Sequence, residues 1–172
     1  MNQTAAELRP VNDSIVKDYI TLAVKNVFST MIRKEAVLVA PNQGPSWRDD
    51  PDAVQFSSRV AFRGNINGAV TLCFPESFVK EAASVILGIS TRELELQGDD
   101  MLRDVVGEIA NMIAGTFKNA LCDLGYPCKL TLPEVLKGTS LKVVELPSAS
   151  CHVFSFDCAL DRLRADVQLL HP

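Results

Sequence analysis

Three polar residues at helical spacing, Asp104, Glu108 and Asn111, are the groups in this sequence best arranged to act together. Positions three and four apart share one face of a helix, so an acid and an amide would project side by side. A carboxylate accepts strong charge-assisted hydrogen bonds from a cation, and a carboxamide both donates and accepts. A surface Glu needs no special explanation. A mid-helix Asn does, because its propensity there is poor. Gly115 and Lys118 continue this polar stripe, while Leu102, Val105, Ile109, Ile113, Ala120 and Leu124 form an apolar stripe that should face a core. Gly107 and Gly115 each cost roughly 1 kcal/mol relative to Ala in a helix interior. Close approach of another backbone, a partner's or the chain's own, would offset that cost. Asp104 reads either as a rim contact or as a solvated carboxylate favoured near the helix N-terminus.

Other chemistries find no support. The five cysteines (Cys73, Cys122, Cys128, Cys151 and Cys158) are odd in number and contain no Cys-x-x-Cys pair. The two histidines, His152 and His171, lack ligand-like spacing, so neither structural zinc nor a disulfide framework is expected. Neither histidine is placed by sequence to activate Cys122 as a nucleophile. No Gly-rich phosphate loop is present. The net charge of −4, without a Lys/Arg run, argues against nucleic acid as the main partner. The first 14 residues are polar and carry Glu7 and Asp13, unlike a secretory signal. No apolar run is long enough to span a bilayer. Reduced, mostly buried thiols in a cytoplasmic protein are the plain reading.

The elements that must position the stripe follow from pattern and punctuation. A first helix is expected over 12–32, with Asn12, Asp13 and Ser14 as candidate caps, then a short strand over 35–40. Residues 41–53 read as a loop holding Trp47, which either covers a core edge or anchors a partner. Strands over 54–63 and 66–74 are joined by Gly64-Asn65 as a hairpin. Pro75 opens a helix that Gly88 closes, and the long helix runs over 99–124 between Gly98 and Gly125. Four strands follow at 129–132, 141–146, 151–158 and 163–170, with Asp161-Arg162 turning the last pair. The 172 residues make one domain, and its parts 12–90 and 97–172 look like repeats. Asn26 corresponds to Asn111 in the helices. Ile66, Val70, Leu72 and Pro75 correspond to Leu163, Val167, Leu169 and Pro172 in the hairpins.

Asp104-x3-Glu108-x2-Asn111 resembles the Asp/Ser-x3-Glu-x2-Asn signature of the CheC, CheX and FliY phosphatases. The run from Gly107 to Gly115 looks especially like CheX. The resemblance implies an α+β fold: a CheC-like layered domain with a duplicated helix-plus-β unit and a largely antiparallel sheet packed against long helices. It implies a protein substrate, the aspartyl phosphate of a CheY-like response regulator. Asn111 would orient the attacking water, and Glu108 would pair with the regulator's lysine. Asp104, Gly107 and Gly115 would lie at the partner contact. No cofactor is implied on this chain, because Mg²⁺ would come with the regulator. Ala23 stands where Glu108 would fall in the first repeat, so one site per chain is expected, as in CheX. Thr116-Phe117 departs from the small polar residue and Ala that often follow in the family. CheX relatives pair through their sheets, which implies a homodimer. The rival from another class is a non-catalytic interaction module akin to flagellar switch subunits. A small-molecule sensor has no motif behind it.

Overall fold

Alternation in the central hairpin sets the core. The computed structural model describes residues 10–40 and 52–170, so the loop holding Trp47 lies outside the described residues. Strands β2 (Val54–Gly64) and β3 (Asn67–Pro75) pair antiparallel, with Phe56 opposite Phe74, Val60 opposite Val70 and Phe62 opposite Gly68. Successive side chains alternate between faces, so these six positions share one face of the sheet. That face is the core face, and Phe56, Phe62 and Phe74 are fully buried on it.

The remaining strands are β1 (Val37–Val39), β4 (Cys128–Leu130), β5 (Glu134–Thr139), β6 (Ser150–Cys158) and β7 (Asp161–Leu170). All pairings are antiparallel, in the order β1-β6-β7-β3-β2-β4, with β5 also on the outer side of β2. Val70 pairs with Val167, the residue that the hairpin match makes its equivalent. A duplicated unit would place them so about a local two-fold.

The core face is covered by helices α1 (Asp13–Val27), α2 (Glu76–Leu87) and α4 (Asp99–Asp123), with the short α3 (Thr91–Gln97) between the last two. Asn12 caps α1, accepting from the Ile15 amide at 3.0 Å. The same helix widens into a π-helical turn, Phe28–Ile32, closed by Arg33 at φ 58°. Phe28 stacks on Phe78 of α2 at 5.3 Å, and Phe78 on Phe74 of β3 at 5.5 Å. This ladder ties the first helix to the sheet through α2. Gly88 ends α2 at φ 67°, a left-handed conformation glycine adopts without steric cost.

The expected strands left out β5, and three further sequence expectations are corrected. Residues 141–146 form no strand; they cross the outer face of the sheet instead. The edge of β2 is already filled by β4 and β5, so this segment bonds to side chains. The Val144 carbonyl accepts from Arg59 at 2.9 Å and from Gln168 at 3.0 Å, and the Leu146 amide donates to Gln168 at 2.7 Å. The last hairpin turns at Ala159-Leu160, because Asp161 pairs with Cys158 inside the ladder. Arg162 is held in the strand by Asp157 at 2.7 Å, and Ala159 takes the left-handed turn conformation at φ 55°. Helix α3 was not expected. Its signal is the capping box Ser90-x-x-Glu93, with both reciprocal bonds present.

The β2–β3 pairing leaves no room at Gly68. A Cβ there would meet the Gln168 carbonyl oxygen and lie 2.6 Å from the Phe62 ring. Gly68→Ala is expected to destabilise by about 2–3 kcal/mol, read by urea denaturation. An unchanged midpoint would contradict this account of the sheet centre.

Candidate active site

Helix α4 carries both halves of the argument. Val105, Val106, Ile109, Ala110, Ile113, Ala114, Phe117 and Leu121 are buried, and Phe117 meets Phe62 of β2 with ring centroids 6.1 Å apart. Each large apolar side chain so buried contributes about 1.5–3 kcal/mol. Burying this stripe fixes the rotation of the helix. The opposite face then points to solvent, and Asp104, Glu108 and Asn111 are all exposed on it. Glu108 and Asn111 are one turn apart, about 5–6 Å between Cβ atoms. No ion pair or side-chain hydrogen bond to another described residue engages either one. A carboxylate and a carboxamide therefore stand together, accessible and unengaged, on a rigid support.

The N-terminal end of this helix is anchored by charge. Asp99 and Asp100 occupy its first turn, where the helix dipole favours acids. Lys137 of β5 bonds Asp99 at 2.7 Å and Glu76, the first residue of α2, at 2.9 Å. Its ammonium also lies 5.5 Å from the Phe56 ring centroid. Partial burial works against the Lys137 charge, but the bonds to Asp99 and Glu76 outweigh it and raise its pKa. The hydrogen bond from Lys137 holds the Asp99 carboxyl below its ordinary value of 3.8. One lysine thus joins α2, α4 and β5. Nothing in the sequence marked it.

The glycines divide. Gly107 is buried, and a Cβ there would lie 3.5 Å from Pro133 and 3.6 Å from Val135. Its close neighbour within the protein is the chain's own edge segment. Arg103 reinforces this seam, donating to the Val135 carbonyl at 3.1 Å. Gly115 is half-buried, with only Leu130 at 4.0 Å from a Cβ position, so it keeps space beside the polar face. Thr116 donates to the Met112 carbonyl within the helix at 3.0 Å, and Phe117 fills the core. The departure after Gly115 is thus satisfied inside the protein.

The first half of the chain offers no equivalent pair. Asn26 is exposed on α1, but Ala23 is fully buried, and the π-helical turn begins two residues after Asn26. Cys122 and Cys128 sit together at the far end of α4. Burial, followed by the neighbouring Cys122, pushes the Cys128 thiol up to about 11. Such a thiol is a poor nucleophile at neutral pH. Among the described residues no three His, Cys, Asp or Glu side chains gather as metal ligands. No helix among them is long and apolar enough to cross a membrane.

The Asp99 bond has a pH signature. A depressed folded pKa contributes stability above the unfolded value and loses it as pH falls through the folded one. Acid unfolding should therefore show a component below about pH 4 that Lys137→Met removes. Identical acid titrations of the two proteins would contradict it.

Three solved structures share the architecture. A chemotaxis protein CheX from Vibrio vulnificus aligns with TM-score 0.75 and 20% identity, over 94% of this chain and 100% of its own. CheX of Borrelia burgdorferi, solved as a CheX–CheY–BeF₃–Mg²⁺ complex, aligns with TM-score 0.72 and 17% identity, over 91% and 98%. FliY from Thermotoga maritima aligns with TM-score 0.62 and 15% identity, over 93% and 92%. At such identities these likenesses establish the fold. No curated protein matches the sequence. The family model described as chemotaxis phosphatase CheX matches residues 56–157, a span that contains the whole of α4 and more than half of the chain. On that match the chain belongs to the CheX family of chemotaxis phosphatases.

Proposed function

We propose that this protein removes the phosphoryl group from the aspartyl phosphate of a CheY-like response regulator, using Asn111 and Glu108 of α4. One observation carries the reading: the pair is exposed, adjacent and unengaged on a helix whose other face is locked into the core. A phosphorylated receiver brings its own Mg²⁺ and lysine, which supply most of the charge stabilisation for in-line phosphoryl transfer. What it needs is a well-placed water. The Asn111 carboxamide would orient that water through its donor and acceptor groups. Glu108 would accept from the receiver's lysine and hold the helix over the phosphoryl group. Asp104 and Gly115 would border the contact. The Borrelia CheX complex with CheY, BeF₃ and Mg²⁺ supports a partner of this class.

The chain would act in the cytoplasm, with its five thiols reduced. We further propose that it pairs as a homodimer. Among the described residues strand β1 is bonded on one side only, to β6, and Val37 is half exposed there. An edge of this kind can extend a sheet into a second copy.

Asn111→Ala should slow receiver dephosphorylation by about a hundredfold while leaving binding largely intact. Decay at the native rate would sink the role given to Asn111. Glu108→Lys places a cation against the receiver's lysine and should weaken binding by about tenfold or more. Unchanged affinity in a titration with the phosphorylated receiver would rule out the ion pair. Receiver binding by the wild type without faster decay would leave a non-catalytic module in its place.

A further inference from the structure

The edge of the sheet beside α4 holds an irregularity. Leu130 of β4 pairs with Phe62, and Glu134 of β5 pairs with Arg59. Three residues, Thr131, Leu132 and Pro133, therefore oppose only two, Val60 and Ala61. This is a β-bulge, a device that re-aims a side chain and is frequent beside active sites. Thr131 pins it: its amide donates to the Ala61 carbonyl at 2.8 Å, and its hydroxyl accepts from the Ala61 amide at 3.1 Å. Pro133 has no amide to donate and rests on Gly107. Between these two fixed points Leu132 is 86% exposed.

Its position follows from the same contacts. Leu130 lies against Gly115 and Pro133 against Gly107, so the edge segment runs antiparallel to α4. Eight helical residues span about 12 Å. Three extended residues span about 10 Å. Asn111 is midway between the two glycines, and Leu132 stands close to the same level in the adjoining bulge. A stable protein partner covers about 800 Å² on each side, a disc of about 16 Å radius. Pro133, the residue after Leu132, would lie 3.5 Å from a Cβ on the helix at Gly107. A partner centred on Glu108 and Asn111 therefore reaches Leu132. The other strongly exposed leucines in helix and turn, Leu96 on α3 and Leu160 in the last turn, are not in this seam.

We propose that Leu132 is an apolar docking contact for the receiver domain, held out by the bulge to exclude water from the Glu108 ion pair. A dry rim strengthens a charge pair by lowering the local dielectric. The occupant is the receiver because the contact is continuous with the face that meets the phosphoryl group, and the proposal rests on the function given above. Leu132 acts on affinity, not on the water.

The test uses the full chain and a CheY-like receiver phosphorylated with acetyl phosphate, with decay followed over a range of receiver concentrations. Leu132→Ala should raise KM about tenfold with kcat within about twofold of wild type, and Leu132→Asp should raise it further. Leu132→Met should restore most of the affinity. Leu136→Ala, on the opposite face of the edge strand, should behave as wild type. Thermal melts of Leu132→Ala should be unchanged, since its side chain is exposed. Wild-type acceleration of decay with native KM in both Leu132→Ala and Leu132→Asp overturns this inference and leaves the phosphatase reading standing. So does an equal KM change in Leu136→Ala, or a shift of Leu132→Asp from dimer to monomer in sedimentation, which would assign the leucine to a second copy. No wild-type acceleration at all removes the phosphatase reading, and this inference with it.

Discussion

The packing of one stripe of α4 against the core face of β2 governs the rest of the molecule. Val105, Ile109, Ile113 and Phe117 are all buried, and Phe117 lies against Phe62. A helix has one rotational degree of freedom about its axis. Burial of side chains worth several kcal/mol in total removes it. The direction of every other residue on the helix then follows. Glu108 and Asn111 face outward because Ile109 and Ile113 face inward. The acid and amide need no hydrogen bonds of their own to be aimed, so their polar groups stay available to another molecule.

The sheet edge completes this arrangement. Strands β4 and β5 share the outer side of β2, and the bulge between them lets Pro133 and Val135 close on Gly107. A Cβ at Gly107 would sit in van der Waals contact with both, so the helix and the edge segment pack directly on each other there. Lys137 then ties the same strand to the first turns of α2 and α4. Helix rotation is set by the core, and its lateral placement by this seam. A site made of two side chains on one helix depends on both.

The two halves are alike in their hairpins and unlike in their helices. Hairpins β2–β3 and β6–β7 meet at the paired β3 and β7, with Val70 opposite Val167. The helices differ more. In α1 the position matched to Glu108 is the buried Ala23, and the π-helical turn displaces the residues after Asn26. The outer face of the sheet also differs from a simple two-layer plan. Residues 141–146 lie across it, held by Arg59 and Gln168.

The sequence by itself determined much of this. The α4 stripe from Leu102 to Ile113, the central hairpin, the caps at Asn12 and Gly88, and the spacing of Glu108 and Asn111 are all local features, whereas Phe117 and Leu121 continue the stripe in place of the expected Ala120 and Leu124. Their physics operates within a few residues, so it can be read along the chain. The capping box at Ser90 and Glu93 was equally local, and α3 was legible there. Other features were decided by tertiary structure. The packing of Pro133 and Val135 beside Gly107 follows from the path of the edge segment. The exposure of Leu132 and the three-way role of Lys137 depend on residues more than 20 positions away. Residues 141–146 have strand-like composition, yet distant side chains, Arg59 and Gln168, hold them in another path. Periodicity reports which face of an element seeks burial. It carries no information on which element arrives to cover it, because that is settled by long-range pairing.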